Sequence, residues 1–145
     1  MFSKSCEYGL RATIFIAERS SASERVGLKA IAQAIDSPEA FTAKILQVLT
    51  KNNIVTGIKG PNGGFMIEEE RMSEIKLIEI ITILDGDKIF FGCGLGLAQC
   101  DDKFPCPLHN QFVKVKVELR KMFERNTLRD IIYSNNRKNL FWLRR

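Results

Sequence analysis

The chain has 145 residues, of which 45% are hydrophobic, and it carries a formal net charge of +5 at pH 7. No apolar run approaches the roughly 20 residues that a transmembrane helix needs, and residues 1–20 lack the pattern of a secretory signal peptide. We therefore expect a cytoplasmic protein with one compact core. Basic residues outnumber acidic ones in 1–60 and 91–145 but not in 61–90, which is compatible with a nucleic-acid partner.

The first half of the chain has the apolar periodicity of helices. Three helices are predicted, over residues 4–19, 28–35 and 38–52. Ser37 is predicted to cap the third helix and Pro38 to occupy its first position. Four apolar side chains of this helix are expected to be buried: Phe41, Ile45, Val48 and Leu49. Two short helices joined by a tight turn predict a helix-turn-helix.

A hairpin is predicted after the third helix. Short β-branched runs at 54–58 and 65–67 flank a turn of sequence KGPNGG at 59–64. The turn is basic, polar and free of apolar residues, which a plain hairpin packed on helices does not require. A wing that enters a DNA groove does favour such a composition. The pattern therefore predicts a winged helix.

Three further helices are predicted, over residues 76–85, 107–125 and 128–133, with Thr127 as the cap of the last one. The longest has apolar residues at spacings of four, three, four and three: Leu108, Phe112, Val115, Leu119 and Met122. This is the spacing of a helix–helix seam, and it predicts dimerisation through Phe112, Val115, Leu119 and Met122. The predicted fold is mainly α with a small β-hairpin wing: a winged helix-turn-helix followed by a long C-terminal dimerisation helix.

The stretch 92–110 contains three of the four cysteines and the only histidine. Six, five and two residues separate the successive candidate ligands Cys93, Cys100, Cys106 and His109. Thiolate and imidazole suit soft or borderline metal ions. Because close cysteine pairs typical of structural zinc are missing, the wide spacing favours an iron-sulfur cluster. Zinc and unused thiols remain alternatives, and the lone Cys6 is expected to be a buried apolar residue.

Four segments together resemble the Rrf2 family of bacterial transcriptional regulators, which includes iron-sulfur cluster sensors. They are YGLRA at 8–12, AKILQVLTKNNIV at 43–55, GPNGGF at 60–65, and the three cysteines followed by PLH. The resemblance implies a homodimer that binds a palindromic operator in double-stranded DNA. In such a complex the third helix lies in the major groove and the wing in the minor groove.

The resemblance also implies roles for individual residues. Cys93, Cys100 and Cys106 match the cluster ligands of the family's sensors. Either His109 or Glu7, donated from the first helix of the partner subunit, completes the site. Six residues are expected at the DNA surface, with Arg11 supporting backbone contacts: Phe41, Thr42, Lys44, Lys59, Asn62 and Arg11.

The sequence thus predicts a winged DNA-binding domain over 1–85, a cluster-binding loop over 86–106, dimerisation and short helices over 107–134, and a basic tail over 135–145. We expect a repressor whose operator affinity is controlled by a 2Fe-2S or 4Fe-4S cluster that senses redox state, nitric oxide or iron. A cluster-free or zinc-stabilised repressor is the alternative, and a small electron-transfer protein is a weaker one. An enzyme is not expected, because the single histidine has no evident nucleophile or acid–base partner.

Overall fold

The structure, a computed structural model, describes residues 1–134 and residue 143. Over these residues the elements run in the order α1 (Lys4–Ser21), α2 (Leu28–Ile35), α3 (Glu39–Lys51), β1 (Thr56–Ile58), β2 (Gly64–Met66), α4 (Glu69–Glu74), α5 (Leu77–Asp85), α6 (Lys88–Phe91), α7 (His109–Arg125) and α8 (Leu128–Tyr133). The predicted mainly α fold with a small antiparallel hairpin is confirmed. None of the described helices is long and apolar enough to cross a membrane.

Helix α1 is the centre of the fold. It begins after Ser3, whose hydroxyl accepts a hydrogen bond from the Cys6 amide at 3.1 Å. Its inner face is fully buried at Cys6, Ala12 and Ile16, and it packs against α2, α3, α5 and α8. Burying a side chain the size of isoleucine contributes about 1.5–3 kcal/mol to the stability of the fold. Because α1 packs on both groups of helices, it joins the helix-turn-helix to the C-terminal helices.

Helices α2 and α3 form the predicted helix-turn-helix. Helix α2 ends at Asp36, whose φ of 52° turns the chain toward α3. Pro38 lies just before α3 rather than in its first turn. The buried face of α3 consists of Thr42, Ile45, Leu46 and Leu49. The prediction that Val48 is buried is wrong: it is 39% exposed, because it lies to one side of the buried helical stripe 42, 45, 46 and 49.

Strands β1 and β2 form the wing, with Gly57 opposite Phe65. The strands are shorter than predicted, because Ile54 and Val55 are buried in the core before β1 begins. Val26 forms an isolated bridge to the other edge of β2, since its amide donates to the Phe65 carbonyl at 3.2 Å and its carbonyl accepts from the Phe65 amide at 2.7 Å. Gly64 has a φ of +138°, and a Cβ there would lie 2.9 Å from the Val26 carbonyl oxygen. The bridge between Val26 and Phe65 therefore requires glycine at position 64.

Helices α4 and α6 are absent from the predicted elements, because α4 has a single apolar residue, Met72, and α6 is only four residues long, so neither shows periodicity. The junction between α4 and α5 pairs with the junction between α7 and α8. The Leu77 amide donates to the Asn126 carbonyl and the Leu128 amide to the Ile75 carbonyl, each at 3.0 Å. This pairing holds α8 against the winged-helix part.

Helix α7 is anchored to the core near its C-terminal end. Phe123 is buried and makes edge-on contacts with Phe2 and Phe90, at centroid distances of 5.5 and 6.4 Å. Helix α8 begins at a capping box in which Thr127 and Asp130 bond to each other. Leu143 is also buried; the rest of the predicted basic tail, 135–142 and 144–145, lies outside the described residues.

Candidate metal centre and nucleic-acid interface

The three cysteines of the predicted ligand set come together. Their Sγ atoms all lie within 4.8 Å of one another, and those of Cys93 and Cys106 are 4.0 Å apart. Cys93 is separated from the end of α6 by Gly92 alone, and Cys106 precedes the start of α7 by a few residues. The ends of two helices therefore deliver two of the thiols, and the loop between them delivers Cys100.

Polar backbone contacts shape this loop. The Asp101 carboxylate accepts hydrogen bonds from the backbone amides of Lys103 and Phe104, each at 2.9 Å. These bonds close a tight turn. That turn brings the Cys106 amide within 3.4 Å of Cys100 Sγ. At the other end, Phe112 of α7 packs on the backbone of Gly94, where an added Cβ would lie 2.3 Å from its ring. A side chain at position 94 would therefore displace the Phe112 ring.

His109, at the start of α7, lies beside the thiols. Its Nδ1 is 3.3 Å from Cys100 Sγ, and 14% of its side chain is exposed. Glu7, the other predicted fourth ligand, is not part of this group in the same chain. It bonds to Lys4 at 2.9 Å, and the hydrogen bond and charge of Lys4 lower the pKa of its carboxyl. Within one chain, the geometry favours His109.

Three of the thiols, those of Cys93, Cys100 and Cys6, differ in how readily they ionise. Amides of Leu97 and Leu95 stabilise the Cys93 thiolate and lower its pKa to about 7. The Cys106 amide lowers the pKa of Cys100, but burial and the neighbouring thiols outweigh it, so that this pKa is raised. In the core, burial and then Asp85 raise the pKa of Cys6 to about 12. The loop thus favours a thiolate at Cys93, whereas Cys6 stays protonated and unreactive.

The thiols open onto a cavity of about 220 Å³. Apart from the candidate ligands, its walls are largely apolar: Phe90, Phe91, Phe112, Val113 and Val117. Three thiols and an imidazole form a donor set that iron-sulfur clusters and zinc both accept. An apolar wall restricts access of solvent to such a group. The residues present therefore fit the predicted cluster.

The exposed face of α3 is the candidate DNA-reading surface. Ala40, Lys44, Gln47 and Lys51 are all exposed and recur at helical spacing. Thr42 does not belong to it. Its side chain is fully buried and its hydroxyl bonds to Pro38 and Ser37, at 2.9 and 3.0 Å, so the predicted side-chain contact with DNA is corrected. Phe41 is half-buried against Tyr8.

The wing presents Lys59 and Asn62 to solvent. Arg25 was not among the predicted site residues, yet its guanidinium donates to the Asn62 carbonyl at 3.1 Å and supports the tip. The predicted Arg11 is directed inward. It donates to the carbonyls of Ile35 and Leu143, at 3.1 and 2.9 Å, and therefore supports the end of α2 from within the chain.

The predicted seam on α7 divides between two faces. Phe112 and Leu119 are half-buried against their own chain, whereas Val115 and Met122 are 64% and 49% exposed. Leu108, seven residues before Val115, is 38% exposed. A line of apolar residues seven apart thus faces away from the core along one side of α7. Its members are Leu108, Val115 and Met122.

Comparison with known proteins assigns the family. Residues 2–134 match the Rrf2 family, described as iron-dependent transcriptional regulators. The chain belongs to the Rrf2 family. It is therefore a transcriptional regulator and not an enzyme, and membership implies that it binds DNA.

The relatives of this Rrf2 chain agree with that assignment. It is 31% identical over 130 residues to the HTH-type transcriptional regulator NsrR of Oceanobacillus iheyensis, covering 89% of this chain and 87% of that protein. Among solved structures, it resembles CymR, the global cysteine regulator of B. subtilis, with a TM-score of 0.76, 20% identity and coverage of 94% and 98%. The T. potens IscR structure gives a TM-score of 0.70 at 24% identity, covering 91% of this chain and 85% of that one. These two structures support the winged-helix fold.

Proposed function

We propose that this Rrf2 protein is a homodimeric repressor whose affinity for a palindromic operator depends on an iron-sulfur cluster. Cys93, Cys100, Cys106 and His109 of one chain would hold the cluster. The observation that carries the proposal is the convergence of three Sγ atoms within 4.8 Å, with His109 Nδ1 3.3 Å from one of them. The family's description as iron-dependent supports iron over other metals.

The proposed DNA contacts follow from exposure. Lys44, Gln47 and Lys51 on α3 would face the major groove, and Lys59 and Asn62 of the wing the minor groove. The lysines supply contacts to phosphate and Gln47 a side chain able to read a base edge. Arg25 would hold the wing tip in place for this contact, since it bonds to the Asn62 carbonyl.

The dimer would form through the outward apolar line of α7. Leu108, Val115 and Met122 are spaced seven residues apart, as in a seam between two helices. The half-buried Phe112 and Leu119 would border this line; Leu119 packs on the chain's own core, whereas Phe112 packs on Gly94 of the cysteine loop. A two-fold dimer places two α3 helices on successive turns of DNA, which is why a palindromic operator is expected.

A bound cluster would supply sensitivity to oxidants, nitric oxide or iron supply, and the protein has contacts that lead from its ligands toward α3. Phe90 lies three residues before Cys93 and makes an edge-on contact with Phe123, which makes another with Phe2 just before α1. On the opposite side, the Ser3 amide bonds to Asp85 at the end of α5 at 2.8 Å. The start of α1 is thus held by both elements that precede the loop, and α1 packs on α3.

The test is anaerobic purification or reconstitution of the full chain, followed by iron, acid-labile sulfide and zinc analysis and a visible absorption spectrum. We expect iron and sulfide in equal amounts and a visible absorbance that oxidation removes. Zinc without sulfide would favour the zinc-stabilised repressor, for which the same donor set is suited. Neither metal in a protein that still binds DNA would favour the cluster-free repressor.

A further inference from the structure

His109 contacts a different partner through each ring nitrogen. Its Nδ1 lies 3.3 Å from Cys100 Sγ, and its Nε2 lies 3.2 Å from a carboxylate oxygen of Asp102. The ring is mostly covered, with 14% of the side chain exposed, whereas the Asp102 side chain is fully exposed. The imidazole therefore lies between the thiols on one side and a surface carboxylate on the other.

This arrangement selects one form of the ring. A neutral imidazole carries one N–H, and an ionised carboxylate only accepts hydrogen bonds. The contact with Asp102 therefore requires the proton on Nε2, which leaves the lone pair of Nδ1 facing Cys100. A histidine that binds a metal commonly has its second ring nitrogen held by a carboxylate in this way.

We propose that Asp102 is a positioning residue that fixes the tautomer and ring orientation in which His109 Nδ1 faces the thiol site. The inference rests on the proposed function, since it explains how this chain presents His109 as the fourth ligand. It also gives a role to a residue that no ligand pattern includes. Without Asp102, the ring is free to rotate and to offer either nitrogen to the site.

The adjacent carboxylate has a different role and provides a matched control. Asp101 accepts the amides of Lys103 and Phe104 and so closes the turn between Cys100 and Cys106. Asp102 makes its one hydrogen bond among the described residues with His109. Asp101→Asn removes the same charge from the same loop while keeping an oxygen that accepts from the two amides. The pair of variants thus separates an effect on His109 from a general effect of loop charge.

The experiment uses the reduced, metal-free full chain with nitrogen-15 in the histidine ring, and Zn²⁺ as the probe. Because the chain has one histidine, every ring nitrogen signal belongs to His109. In the wild-type protein we expect protonated Nε2 and bare Nδ1, with Zn²⁺ shifting the Nδ1 signal. Asp102→Ala should mix the two tautomers and allow Zn²⁺ to bind Nε2 in part. It should weaken Zn²⁺ binding about tenfold, which is at the lower end of the loss seen when a residue that holds a metal ligand is replaced.

Two further variants complete the test. Asp102→Asn retains an acceptor for Nε2–H and should restore most of the wild-type nitrogen pattern, and Asp101→Asn should leave that pattern and the Zn²⁺ affinity unchanged. The inference is overturned if Asp102→Ala keeps the wild-type pattern and affinity, or if Asp101→Asn alters both as strongly. Its failure is distinct from that of the proposed function, which depends on iron and sulfide content rather than on the histidine signals.

Discussion

The winged-helix part and the cysteine loop are held together by different forces, and the two kinds of cysteine show the difference. Cys6 is fully buried on α1, where burial raises its pKa to about 12. Cys93 lies in a loop whose amides lower its pKa to about 7. An apolar core keeps one thiol protonated, whereas backbone amides of the loop stabilise the thiolate of the other. The core should therefore govern stability and the loop should govern metal content.

Replacing one thiol in each region gives the largest expected contrast. Cys106→Ser should abolish the bound cluster, because the site loses one of three converging thiolates, while the fold stays intact. Cys6→Ala should keep full metal content and lower the free energy of unfolding by about 1 kcal/mol. Metal analysis and denaturant unfolding of both variants measure this. Equal metal loss in the two variants would contradict the division between core and loop.

The two sides of α7 extend the comparison to assembly. Val115→Asp places a charge on the outward apolar line, where the proposed dimer would bury it without a partner at a cost of about 3–5 kcal/mol. We expect a folded monomer by light scattering and circular dichroism. Lys114→Asp, on an exposed face of the same turn, should remain dimeric. A stable dimer of the Val115 variant at low micromolar concentration would refute this seam.

Metal loading should depend on pH in a way that reports the Cys93 environment. Each thiol that must release a proton on binding makes the affinity for Zn²⁺ rise about tenfold per pH unit. Above pH 7, Cys93 is already a thiolate, whereas Cys100, with its raised pKa, still carries a proton. The slope of log affinity against pH should therefore be smaller by about one above pH 7 than below it. A constant slope from pH 6 to 8 would contradict the assignment.

The smallest effect is expected from a single wing residue. Lys59→Ala should weaken binding to all DNA sequences and reduce the slope of log affinity against log salt by about 0.9, as for the loss of one phosphate contact. Lys103→Ala removes an equal charge from the exposed cysteine loop and should leave the slope unchanged. Filter binding or fluorescence anisotropy across a salt series measures both. An unchanged slope for the wing variant would place Lys59 outside the interface.

The sequence predicted the long helices and the convergence of the cysteines because both depend on local patterns. Apolar periodicity located the helices that became α1, α2, α3, α5, α7 and α8; the ends of α2 and α8 are as predicted, and those of the others differ by at most two residues. Thr42 was misassigned to the surface because its polarity concealed its burial; the two hydrogen bonds that satisfy its hydroxyl are formed only in the folded chain. Arg25 was overlooked because its contact with Asn62 joins residues 37 positions apart.

Other features required the packed structure. The spacing of apolar residues along α7 predicted one seam. Periodicity alone does not show that Phe112 is half-buried against the loop whereas Val115 is exposed. The same limit applied to the fourth ligand, where the sequence offered both Glu7 and His109. The start of α7 places His109 beside Cys100. Residue spacing in the sequence does not predict this contact.

The central claim is that occupancy of the thiol site sets the affinity for DNA. It is tested most directly by measuring the dissociation constant for one selected operator duplex at fixed salt, with the same protein preparation before and after its cluster is removed. Cys106→Ser is measured beside it. We predict at least a tenfold difference between the loaded and stripped wild-type protein, and no response of the Cys106 variant to the same treatment. Equal affinities of the loaded and stripped protein would contradict the account.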